Sequence, residues 1–168
     1  MNWLRRLFGW GTNRREAAGQ PSAPPSQPPA AIPVVAFGEA PATVPPSLTA
    51  RDLERLKGVH PDLVRVVKRA RLRVAFFVAE GVRSHERQRQ LVAEGKSKTL
   101  NSRHLTGHAV DLYPVSDIPI PKMKLADFRE LVDAMRWAAA VESVPLVCGF
   151  DWGWDAPHYE LPRGSYPA

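Results

Sequence analysis

The chain has 168 residues and a formal charge of +6, from 23 Lys and Arg against 17 Asp and Glu. That length allows one domain of ordinary size plus tails, and no stretch approaches the roughly 20 apolar residues that span a bilayer. The one cysteine, Cys148, excludes an internal disulfide and a thiolate metal cluster.

Residues 1–17 are a short basic and aromatic segment. Within residues 1–10, Trp3, Leu4, Leu7, Phe8 and Trp10 surround Arg5 and Arg6, which makes this stretch a candidate contact with a membrane surface. It lacks the apolar core of roughly 7–15 residues that a secretory signal needs. Residues 18–47 read as a disordered, proline-rich linker. Nine of the 17 prolines fall between Ala17 and Pro46, where Glu39 is the sole charge, so this segment cannot build a core.

A folded domain is expected over residues 48–168. Thr49 caps a short helix through Asp52, Leu53, Leu56 and Lys57 that Gly58 ends. Pro61 opens a second helix with Leu63, Val64, Val66, Val67 and Ala70 on its apolar side. Residues 74–78 form a β-branched and aromatic run that reads as a buried strand leading to Gly81. Ser84 caps a helix over residues 85–93, closed by Gly95. Residues 109–113 alternate as a strand, and residues 124–141 form the longest helix, with Leu125, Phe128, Leu131, Val132, Met135 and Trp137 as its stripe. Residues 146–150 and 158–161 complete the sheet, with Cys148 as a small buried apolar residue. The class is α+β: a small, mostly antiparallel sheet with helices on one face.

Three residues on this framework have the chemistry of an open zinc site: His104, Asp111 and His158. Two imidazoles and one carboxylate leave a fourth position for water. His104 and Asp111 stand seven residues apart across a turn at Gly107. Ala109 shares the strand face of Asp111 and keeps the space beside a metal clear. Asp155, three residues before His158, stands where a general base would act on that water. His108 should point away, and it becomes the substitute ligand only if the register slips by one. Asp151 is a rival base, while His60 and His85 read as capping or surface groups. Phe150, Trp152, Trp154 and Tyr159 could wall a groove, with more of them expected in the core than not.

The segment Ser102-Arg103-His104-Leu105-Thr106-Gly107-His108-Ala109-Val110-Asp111, followed by Asp155-Ala156-Pro157-His158-Tyr159-Glu160, resembles the zinc peptidases of the D-alanyl-D-alanine carboxypeptidase and Hedgehog-like fold. Within them, Gly81-Val82-Arg83-Ser84-His85-Glu86-Arg87-Gln88 and Ser97-Lys98-Thr99 resemble phage L-alanyl-D-glutamate endopeptidases of the endolysin type. The lead-in Gly58-Val59-His60-Pro61-Asp62-Leu63 is similar too, and the resemblance runs over residues 53–161. It departs between Gly149 and Pro157, where family members carry bulkier, proline-marked sequence. The resemblance implies one zinc ion held by His104, Asp111 and His158, with Asp155 as the acid and base. It implies that Arg83 steadies the oxyanion and that Ser102 contacts substrate. Glu160 is expected to orient His104 or His158.

The implied substrate is the peptidoglycan stem peptide, cut by a monomer made in the cytoplasm and acting in the periplasm or wall. A lysis role would then need a membrane pore made by another protein. Two other functions fit the same residues. One is a D,D-carboxypeptidase that removes a terminal D-alanine. The other is a zinc-stabilised binding module without turnover, which would need neither Asp155 nor Arg83.

Overall fold

The structure, a computed structural model, describes residues 47–167. The candidate membrane contact at residues 1–10 and the linker up to Pro46 lie outside the described residues.

Local signals set the helices. Thr49 caps α1 (Ala50–Arg55) in a capping box. Its hydroxyl accepts the Asp52 N–H at 3.2 Å, and the Asp52 carboxylate takes the Thr49 N–H at 2.9 Å. The same carboxylate accepts the Val78 N–H at 2.8 Å, which ties α1 to the edge of the sheet. Pro61 begins α2 (Pro61–Ala70), where its missing N–H costs nothing. His60 caps it, accepting the Asp62 N–H on Nδ1. Ser84 caps α3 (His85–Ala93), as its position requires.

Four strands, β1 (Phe76–Glu80), β2 (Ala109–Pro114), β3 (Val147–Cys148) and β4 (His158–Glu160), form one antiparallel sheet in the order β1-β2-β4-β3. Strand alternation divides their side chains between two faces. Phe76, Val78, Val110, Leu112, Cys148 and Tyr159 enter the core. There they meet Leu63, Val66 and Val67 of α2 and Leu131, Val132 and Met135 of α4 (Arg129–Glu142). Ala109, Asp111, His158 and Glu160 take the opposite face. The pairings Asp111↔His158 and Ala109↔Glu160 set them directly across from each other.

Several elements differ in extent from the sequence expectation, β2 running one residue further to Pro114 and α1 ending at Arg55. β1 begins at Phe76 rather than at residue 74, because the Val74 N–H still bonds the Ala70 carbonyl as α2 ends. The long helix begins at Arg129. Leu125–Phe128 is a 3₁₀ turn closed by the Lys124 N–H on the Asp127 carboxylate, and Leu125 is exposed. β3 spans two residues, since the chain turns at Gly149, where a Cβ would stand 2.3 Å from the Asp155 carbonyl oxygen. β4 ends at Glu160, one residue early. Cys148 is buried on β3 as expected, and burial pushes its thiol up to about 11, so it is chemically quiet.

Candidate metal centre and cleft

His104 sits on a 3₁₀ turn, Arg103–Thr106, that Ser102 caps and Gly107 ends at φ +73°. Gly107 is required twice over. The left-handed φ suits glycine, and a Cβ there would lie 2.2 Å from the Gly58 carbonyl oxygen. Gly81 is equally confined, since its Cβ would meet the Arg55 carbonyl oxygen at 1.9 Å. This close approach lets the Gly81 carbonyl accept a hydrogen bond from His104 Nδ1 at 2.7 Å.

The hydrogen bonds fix which ring nitrogens carry protons. A carbonyl can only accept, so Nδ1 of His104 is its donor and Nε2 carries the lone pair. Glu160 Oε2 lies 3.0 Å from Nε2 of His158, so that nitrogen donates and Nδ1 is left with the lone pair. The two lone pairs face each other at 3.3 Å. Asp111 Oδ1 completes a triangle, 3.3 Å from His104 Nε2 and 3.2 Å from His158 Nδ1. Three acceptors so close repel unless a proton or a cation stands among them. Zinc bonds of about 2.0–2.1 Å in a tetrahedron give edges of about 3.3–3.4 Å, and the observed sides match. Among the described residues this is the group of acidic and imidazole side chains that could hold a metal ion. His104 is 1% exposed, while Asp111 is only partly buried and opens to the cleft.

Electrostatics point the same way. Burial pushes the Asp111 carboxyl up, but its contacts with His104 and His158 outweigh this and hold it well below the usual carboxylate range. Burial disfavours charge on His158, yet Asp111 and Glu160 overcome it and raise the ring to about 9. Positive charge is therefore favoured at this point. Asp155 lines the same cleft, and burial raises its carboxyl above the ordinary value.

Arg83 lies beside the triangle, its side chain 8% exposed, with Nη2 3.5 Å from Asp111 Oδ2. An irregularity between Val78 and Glu80 places Glu80 opposite Asp111 across the strands. Two carboxylates so paired would repel, and Arg83 stands between them. Its Nε donates to Glu80 Oε1 at 2.9 Å, and Nη2 bonds the other Glu80 oxygen. Nη1 donates to Gln88 Oε1 at 2.8 Å. Buried Gln88 in turn donates to Ser97 Oγ and the Thr99 carbonyl. Glu80 and Gln88 had no role in the sequence reading. Gln88 shares a helix face with Leu91, three residues on, which was the available signal.

The remaining candidates separate cleanly. Ser102 lines the cleft and caps the turn, accepting the His104 N–H at 3.4 Å. His108 points away from the triangle and packs on His60, ring centres 5.1 Å apart. Asp151 pairs with Arg136 at 2.5 Å and does not line the cleft. His85 is exposed at the first position of α3. Tyr159 is core and Phe150 packs against it. Trp152 and Trp154 instead line the cleft, stacked at 5.6 Å, with Trp152 5.5 Å from the His158 ring. The cleft encloses about 360 Å³.

A family described as phage L-alanyl-D-glutamate peptidase matches residues 46–167. The solved L-Ala D-Glu endopeptidase ChiX of Serratia marcescens is similar, at 42% identity and a TM-score of 0.66. The match covers 74% of this chain and 96% of that one. A search among curated proteins returns no match. With most of its length and the whole described domain matched, the chain belongs to the phage L-alanyl-D-glutamate peptidase family, peptidases that act on peptidoglycan.

Proposed function

We propose that the chain is a zinc-dependent endopeptidase that hydrolyses the L-alanyl–D-glutamyl amide of the peptidoglycan stem, as a phage lysis enzyme does. The observation that carries this reading is the triangle of His104 Nε2, His158 Nδ1 and Asp111 Oδ1, with sides of 3.2–3.3 Å. These three residues would hold one zinc ion, and the family supplies the scissile bond.

A zinc ion bound to His104, Asp111 and His158 would polarise a carbonyl and lower the pKa of a bound water to about 7. Asp155 accepts a proton from the attacking water and returns one to the departing nitrogen. Its raised affinity for a proton suits the second of these steps. Arg83 offers its guanidinium to the carbonyl oxygen as negative charge gathers there, held in place by Glu80 and Gln88. Ser102 contacts the bound peptide. Glu160 fixes the His158 ring in the tautomer that ligation needs. The enzyme acts as a monomer on the wall, with residues 1–10 as a membrane-surface contact and residues 18–47 as a spacer.

Asp155→Asn should keep its zinc and its melting temperature while lysis of purified murein falls by about 10²–10⁴-fold. His104→Ala and His158→Ala should lose both zinc and lysis. Metal content by atomic emission and turbidity of a murein suspension measure the two properties. A zinc-free His158→Ala protein that still clears murein would sink the reading. Mass spectrometry of the digest separates the L-alanyl–D-glutamyl cut from loss of a terminal D-alanine, the product of a D,D-carboxypeptidase.

A further inference from the structure

Five cations line the cleft: Arg83, Lys96, Lys98, Arg103 and Arg163. Three of them are occupied. Arg83 serves Glu80 and Asp111, and Lys96 Nζ lies 2.8 Å from Glu94. Arg103 is buried and donates to the carbonyls of Leu161 and Tyr166. Arg103 also lacks a carboxylate partner and its Nη1 is unbonded, but it is buried, whereas Lys98 and Arg163 reach solvent and, among the described residues, neither has a carboxylate within ion-pair distance. Lys98 Nζ stands 4.3 Å over the ring of Trp154, which is itself 60% exposed. Arg163 donates from Nη2 to the Asn101 carbonyl at 2.7 Å and keeps its other donors. Both residues are exposed. They meet on one segment, since Lys98 lies on it and Arg163 bonds it at Asn101. Two exposed cations outside any ion pair thus line the cleft that also holds the half-buried carboxylates Asp111, Asp155 and Glu160.

Such a charge arrangement selects among substrates. On the leaving side of an L-alanyl–D-glutamyl bond the stem continues through the γ-carboxyl of D-glutamate. Its α-carboxylate therefore stays free, on the same carbon that bears the leaving nitrogen. Whenever that amide is placed for attack, an anion must lie close beside the triangle. Asp155 and Glu160 repel it, and beyond Arg83 and the metal, which are committed to the reacting carbonyl, a cation of the cleft lining outside any ion pair can hold it. Arg163 is the better match, because its fork can take both carboxylate oxygens.

We infer that Lys98 and Arg163 form a carboxylate subsite for the free α-carboxylate of the D-glutamyl residue at the cut bond. The enzyme thereby discriminates against stems in which that carboxyl is amidated. The inference rests on the peptidase reading above and refines its substrate.

The test uses the full chain and two synthetic stem peptides, one with γ-linked D-glutamate and one with its α-amide. The unmodified enzyme should cleave the acid at least tenfold faster, in kcat/KM, than the amide. Lys98→Ala and Arg163→Ala should each raise KM for the acid by roughly tenfold, the worth of one charge-assisted hydrogen bond. Their rates on the amide should not change, and Arg163→Lys should restore part of the preference. Equal cleavage of both peptides by the unmodified enzyme, or equal losses on both in the variants, would overturn the subsite and leave the peptidase reading standing. Cleavage of neither peptide would overturn both.

Discussion

The ring of His158 is gripped at one nitrogen by Glu160 and presents the other to His104 and Asp111. Glu160→Gln keeps an oxygen that can accept from Nε2 but removes the charge that raises the ring's basicity. Zinc affinity should fall by about 10–100-fold, measured by competition with a fluorescent chelator; unchanged affinity would contradict the assignment. Much of this was legible in the sequence. Residues 158 and 160 must share a strand face, as must 109 and 111, so an acid beside a ligating imidazole could be read from spacing alone. Which histidine Glu160 serves could not be read, since that depends on the pairing of β4 with β2. Glu80 and Gln88 were hidden for a similar reason. One reaches Arg83 through an irregularity in β1, the other from the buried side of α3.

Helix starts were the most readable elements, because each rests on a few neighbouring residues: Thr49 with Asp52, Pro61 after His60, Ser84 before His85. Strand limits were less so, since they depend on partners far along the chain. β1 cannot begin until α2 has released Val74, and β3 is cut short by the packing of Gly149 on Asp155. Asp52 joins the two kinds of information. Burial pushes its carboxyl up, but hydrogen bonds from Thr49 and Val78 outweigh this and leave it below its ordinary value of 3.8. A depressed carboxylate stabilises the fold at pH above that ordinary value, and the contribution is lost as pH falls through the folded value. Asp52→Ala should cost about 2–3 kcal/mol at pH 7. In urea titrations the gap between the two proteins should narrow below pH 4. A gap that is constant with pH would contradict the ionised role.

At the scale of the molecule, the helices and the sheet's inner face build a core, while the outer face gathers groups from three separate stretches. His104 arrives on a turn after α3, Asp111 on β2, and His158 on β4 with Asp155 just before it. Their sequence pattern points to a metal site, and the fold brings His104, Asp111 and His158 into a group that could hold a metal ion. The fold supplies what the pattern could not: the exclusion of Asp151 and the cleft wall of Trp152 and Trp154. It also brings the half-buried carboxylates Asp111, Asp155 and Glu160 into one cleft with the exposed Lys98 and Arg163. In the proposed reading, a peptide stem laid in this cleft meets His104, Asp111 and His158 together with Lys98 and Arg163.

Zinc titration of chelator-stripped enzyme, with cleavage of a γ-linked L-alanyl–D-glutamyl peptide followed by mass spectrometry, addresses the central claim most directly. Activity should return linearly and saturate at one equivalent of zinc per chain, and His158→Ala should recover none. Full activity after complete stripping, or saturation at two equivalents, would contradict the account.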